Sequence, residues 1–161
     1  EMYIGDWSSD VCSSDLSLLL SQDGLGDLSL RQSYTYSDFK YKNDPVFGKN
    51  QLPGLPKHFY QAQLRMDFYN GIFTSVNTEY ASKVPVDYAN SFYADAYSTW
   101  GVSLGYQPES KKWNTWIDFK NIGDKHYAAT VTPGYNDNGL DMARSTPGEG
   151  FSTYAGVSIN F

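Results

Sequence analysis

Apolar and polar residues alternate strictly over six stretches of this chain, and a period of two is that of a β-strand with two unlike faces. At the C-terminal end Phe151, Thr153, Ala155, Val157, Ile159 and Phe161 share one face, against Ser152, Tyr154, Gly156, Ser158 and Asn160. Trp113, Thr115, Ile117 and Phe119 oppose Asn114, Trp116, Asp118 and Lys120; Trp100, Val102, Leu104 and Tyr106 oppose Thr99, Gly101, Ser103 and Gly105. The other stretches are Ile72–Tyr80, Tyr60–Phe68 and Leu28–Ser37, the last with Gln32 interrupting its apolar face. A seventh piece, Ser17–Ser21, reads as the stump of another strand. The expected fold is all-β and antiparallel.

The connections narrow the choice further. Short turns are expected at Gln22–Asp27, at Tyr69-Asn70-Gly71 and at Pro108–Lys111. Asn-Gly suits a type I′ hairpin turn, which needs positive φ at both central residues. Between them lie long connections at Lys40–Pro56, Pro85–Asp95 and Ala129–Gly150. A soluble sheet with one wet face also alternates, but it has no reason to alternate short and long connections. An outer-membrane barrel does: its turns are short on the periplasmic side and its loops long outside. Its strands are about ten residues long, apolar toward lipid and polar toward the lumen, with aromatic girdles at both interfaces. The 14 Tyr, 9 Phe and 4 Trp suit such girdles, where a ring meets lipid and its polar tip stays wet. The expected architecture is therefore an antiparallel up-and-down transmembrane β-barrel, present in part. Arg65, Asp67, Glu79, Asp118 and Lys120 fall on the inward face, where water or a plug can meet them.

Composition excludes other classes. No apolar run approaches the roughly 18 residues of a membrane helix, and a net charge of −6 without a basic patch gives no footing for nucleic acid. The first sixteen residues, EMYIGDWSSDVCSSDL, share nothing with the pattern after them. Their lone Cys12 has no histidine near it, and a zinc site takes three or four ligands. The segment resembles the translation of a sequencing adapter, so residues 1–16 are read as an artefact and 17–161 as the barrel part. Without its four acids (Glu1, Asp6, Asp10, Asp15) the net charge moves from −6 to −2.

Four stretches after residue 17 resemble the C-terminal end of TonB-dependent outer-membrane receptors: SYTYSDFKY (Ser33–Tyr41), NQLPGLPKH (Asn50–His58), DFKNIGDKHYAAT (Asp118–Thr130) and PGEGFSTYAGVSINF (Pro147–Phe161). The resemblance implies a 22-stranded barrel with a plugged lumen, of which these residues would supply the last six or seven strands. It implies uptake of a scarce nutrient, a ferric siderophore or another iron complex, powered through the TonB complex. A smaller porin-like or adhesion-type barrel without TonB coupling is the alternative. The implied location is the bacterial outer membrane, with the C-terminus at the periplasmic side. Ala155, Val157, Ile159 and Phe161 resemble the signal read by the barrel-assembly machinery. The plug and the TonB-contact segment that the family carries do not occur in these residues. The expected partners are the chelate, TonB, the assembly machinery and outer-membrane lipid, with no nucleic acid.

Ligand contacts in such receptors come from inward strand ends and outer loops, which suggests Tyr88, Tyr93, Tyr135 and Arg144. Aromatic rings could lie on an organic chelator and Arg144 could pair with its anionic groups. No catalytic residues, metal site or cofactor are expected. His58 and His126 sit beside Lys57 and Lys125 as rim polarity, without a nucleophile and orienting acid at useful spacing. Asn136–Asp141 has the composition of a calcium loop but not its ligand spacing. Gly24-Leu25-Gly26 is a turn, since no helix follows to make a phosphate cradle. The adapter reading makes a direct prediction: genomic DNA of the source carries no codons for DWSSDVCSSDL. A long read that finds them there would make the segment native.

Overall fold

A computed structural model describes residues 7–134 and 142–160. Its regular elements, among the described residues, are all strands: β1 (Trp7–Asp23), β2 (Gly26–Tyr41), β3 (His58–Phe68), β4 (Ile72–Ala81), β5 (Val84–Pro85), β6 (Tyr93–Ala94), β7 (Tyr97–Tyr106), β8 (Trp113–Lys120), β9 (Ala128–Gly134), β10 (Met142–Pro147) and β11 (Ser152–Ile159). Seven of them form one antiparallel sheet in the order β1-β2-β3-β4-β7-β8-β11, and β5-β6 and β9-β10 are separate two-stranded pairs. Ten residues at about 3.4 Å each, tilted about 40°, rise roughly 26 Å, which matches the apolar band of an outer-membrane barrel.

Register turns the sequence alternation into rows. On one face Leu30, Leu64, Val76, Val102 and Phe119 lie side by side across five strands. Leu28, Met66, Thr74, Leu104, Ile117 and Ala155 form the next row. On the other face Ser29, Arg65, Ser75, Ser103, Asp118 and Tyr154 align, as do Ser33, Gln61, Glu79 and Thr99. Burial is inverted relative to a water-soluble sheet. Val76 is 41% exposed, Val157 67% and Ile159 62%, whereas the polar neighbour Ser75 is 2% exposed. Such a contiguous apolar surface needs a non-aqueous partner. Aromatics gather at both ends of this face: Tyr34, Tyr60 and Tyr80 pair at one end. Tyr106 and Trp113 meet at the other, their ring centroids 5.5 Å apart.

Side chains of the polar face bond one another across the strands. Glu79 accepts from Gln61 through Oε2 and from the Tyr97 hydroxyl through Oε1, both at 2.8 Å. Gln63 donates to Asn77 at 3.2 Å, and Arg65 forks onto both Asp67 oxygens while its guanidinium carbon lies 4.2 Å from the Phe73 ring centroid.

Four details differ from the sequence reading. The stump expected at Ser17–Ser21 is part of a strand that starts at Trp7, with a register shift between Leu19 and Ser21. Main-chain pairing along the free edge of β2 accepts any proline-free sequence, so strand extension over residues 7–16 does not depend on their side chains. The Tyr69-Asn70-Gly71 turn is not type I′. Only Gly71 has positive φ (88°), and its N–H closes a three-residue connection onto Phe68 C=O at 3.0 Å. A single left-handed residue is what a three-residue hairpin loop requires. A Cβ at Gly71 would lie 2.3 Å from the Gln107 carbonyl oxygen, so the position admits only glycine. The other two differences are strand pairs inside long connections, β5-β6 and β9-β10. The short turns at Gln22–Asp27 and Pro108–Lys111 stand as expected, the latter closed by Lys111 N–H on Pro108 C=O at 2.9 Å.

Leu64→Arg, at mid-strand on the apolar face, is expected to lower barrel stability by about 2–4 kcal/mol, whereas Gln63→Arg on the polar face changes it little. Urea titration of the full barrel in lipid vesicles measures both. Equal effects would contradict the assignment of faces.

Candidate functional site

The loops at one end of the sheet are built onto it by backbone and amide bonds. β2 outruns β3, and its protruding edge would leave N–H and C=O groups unpaired. The 50–58 stretch supplies the partners: Ser37 N–H reaches Lys57 C=O, Leu52 N–H reaches Phe39 C=O and Tyr41 N–H reaches Asn50 C=O, each at 2.9 Å. The first loop (42–57) is then joined to the second (82–96). Asn90 accepts from Gln51 N–H at 2.8 Å and donates to Gln51 C=O at 2.9 Å, and Asn50 donates to Tyr88 C=O at 3.0 Å. Asn90 is left-handed (φ 56°), a conformation asparagine tolerates better than most residues. Rings of Tyr41, Phe47 and Tyr88 pack in series, tilted on one another, with centroids 5.3 and 5.6 Å apart. Buried Asp87 holds the second loop's turn, accepting from Ser91 N–H at 2.8 Å and from the Ser91 hydroxyl.

The third loop (121–151) joins two of the four quoted motifs. Buried Asn121 donates to Lys125 C=O and to Glu149 C=O, both at 2.9 Å, and accepts from Lys125 N–H at 3.0 Å. Asp124 accepts from Phe151 N–H at 2.9 Å. Thus 118–130 and 147–161 are one device, a closed base from which the β9-β10 pair rises. Gly54 of the first loop donates to Pro85 C=O at 2.9 Å, and a Cβ there would lie 3.2 Å from Val131 C=O, so all three loops meet at that point.

A cleft of about 480 Å³ opens between the second and third loops. Phe92 and Tyr93 line it from the second loop; Lys125 and Arg144 bring positive charge and His126 its ring nitrogens from the third, with Asp95 the one acid among the described lining residues. Of the four sequence candidates, Tyr93 and Arg144 meet here. Tyr88 does not: its ring is spent on Phe47 in the joint between the first two loops. Tyr135, like Phe161 and the whole Asn136–Asp141 stretch, lies outside the described residues. Lys125, His126 and Tyr127 were readable as neighbours in one motif, but their place in the cleft depends on the fold of the third loop. His58, by contrast, takes its Nδ1 to the Tyr34 hydroxyl at 2.8 Å, on the apolar side. Ala155, Val157 and Ile159 lie on the apolar face of the last strand, opposite Ile117, Thr115 and Trp113.

An apolar outer face, a polar inner face and loops gathered at one end define part of a transmembrane β-barrel wall. The chain belongs to the TonB dependent receptor-like β-barrel family, whose model matches residues 5–122. Among solved structures, it is similar to the siderophore receptor PiuA from Acinetobacter baumannii, with a TM-score of 0.76 at 18% identity. The similarity covers 96% of this chain and 22% of that one, so the chain spans about a fifth of its neighbour. A search of curated protein sequences found no match.

Asn121→Ala is expected to remove three hydrogen bonds that close the loop, two to carbonyls and one from an N–H, at about 1 kcal/mol each. Limited proteolysis of the full receptor should then cut within 121–151 at least tenfold faster, with strands β2 to β4 still protected. Unchanged cleavage would count against Asn121 as the base of the loop.

Proposed function

We propose that the chain is the C-terminal wall of a 22-stranded outer-membrane receptor that takes up a scarce nutrient, a ferric siderophore or a similar iron complex, at TonB's expense of energy. The cleft at the loop end carries this reading: rings on one side and Lys125, His126 and Arg144 on the other suit an organic chelator with anionic groups. In this arrangement the loop end faces outside, the C-terminus lies at the periplasmic side, and Ala155, Val157, Ile159 and Phe161 form the assembly signal. A plug and a TonB-contact segment belong to the same receptor in this reading. Tyr93 and Arg144 are the foremost ligand contacts, with Tyr135 a lesser one; Tyr88, packed on Phe47, serves the loop joint instead. Residues 1–16 are adapter-derived in the same proposal, and the native barrel part is 17–161.

Sequencing the locus upstream tests the architecture. A plug-coding region on the order of 130 residues before the barrel is expected; a signal peptide directly before a short barrel would sink the proposal. In the full receptor, Arg144→Ala is expected to weaken ferric-chelate binding about tenfold, the loss of one charge-assisted bond of about 1.4 kcal/mol. Unchanged binding in both Arg144→Ala and Tyr93→Ala would remove the cleft from the ligand's path.

A further inference from the structure

Two cavities meet at one side chain. The cleft between the loops ends at Ala96, and a second cavity begins along the polar wall at Thr99. Among the described residues, Tyr127 alone borders both. We propose that Tyr127 is the partition between the outer cleft and the lumen, and that an anionic ligand held in the cleft enters the lumen when this ring is displaced. The inference rests on the receptor reading above and names a residue of that path.

The ring is placed from two sides. Its centroid lies 4.1 Å from that of Tyr97, whose hydroxyl is bound to Glu79 of the wall. Beneath it is Gly148: a Cβ there would lie 2.2 Å from the Tyr127 ring, so the ring rests on bare backbone. Gly148 N–H also donates to Tyr127 C=O at 2.8 Å, so the seat is held to the backbone that carries the ring. Burial, with Glu79 and Glu149 nearby, raises the Tyr127 phenol above its ordinary pKa and keeps it neutral. The residue therefore offers no ion pair to an anion arriving beside Lys125 and Arg144. It stands as bulk between a cationic cleft and a wall of amides and carboxylates. It also lies in 121–127, a segment without regular structure whose end at Asn121 is fixed, so the ring can turn without breaking a sheet ladder.

Cysteine labelling in the full receptor, carried in outer-membrane vesicles, tests the partition without any ligand. A membrane-impermeant maleimide is applied from the loop side to Gln63→Cys, which borders the wall cavity alone, or to Ser145→Cys, which borders the cleft alone. Tyr127→Ala is expected to speed labelling at position 63 about tenfold and to leave position 145 within about twofold. Tyr127→Phe, which keeps the ring, should change neither. If Tyr127→Ala fails to assemble, Gly148→Ala, which pushes the ring from its seat, is expected to give the same split. An unchanged rate at position 63, or an equal rise at both positions, would overturn the partition. A clean split in a receptor that takes up no iron chelate would defeat the receptor reading and leave the partition standing.

Discussion

Everything in this chain follows from the need to pair main-chain groups where no water can reach them. In hydrocarbon an unpaired N–H or C=O is costly enough that only helices and closed sheets survive. A sheet meets that demand with hydrogen bonds between strands, which leaves side chains free to serve two solvents at once. Hence the row of Leu30, Leu64, Val76, Val102 and Phe119 on one face, and Ser33, Gln61, Glu79 and Thr99 on the other. The same demand shapes the loops. Where β3 ends before β2 does, residues 50–57 run back along the exposed edge and take up its free groups.

Above the sheet the logic changes from ladders to single side chains with several bonds. Asn90 and Asn121 each fix a loop by acting as donor and acceptor at once, which a hydroxyl or carboxylate could do less completely. Asp87 and Asp124 cap backbone N–H groups in the same region. These four short polar residues, not a hydrophobic core, hold the walls of the cleft at a defined separation. Buried apolar side chains are few: Ala81, Val86 and Val131 among the described residues.

The wall was legible in the sequence because a period of two is unambiguous over ten residues, and turns and loops alternate in length. β8 was read to the residue, Trp113–Lys120. The misreadings have local causes. Asn70-Gly71 looks like a two-residue turn until strand register adds Tyr69 to the connection. The β5-β6 and β9-β10 pairs are too short, or too interrupted by Pro85, Pro133 and Pro147, for alternation to stand out. The make-up of the candidate cleft was legible only in part. Arg144 and Tyr93 could be named as loop residues with suitable chemistry, but their meeting depends on contacts between loops. Tyr88 has the same chemistry and a different fate, decided by Phe47.

The base of the third loop is closed upon itself by Asn121 and Asp124 before the β9-β10 pair begins. Strain or altered composition farther along that pair is thus insulated from the wall. Such a division gives the molecule room to vary: the β9-β10 pair can change in length and sequence without disturbing the strands that carry it.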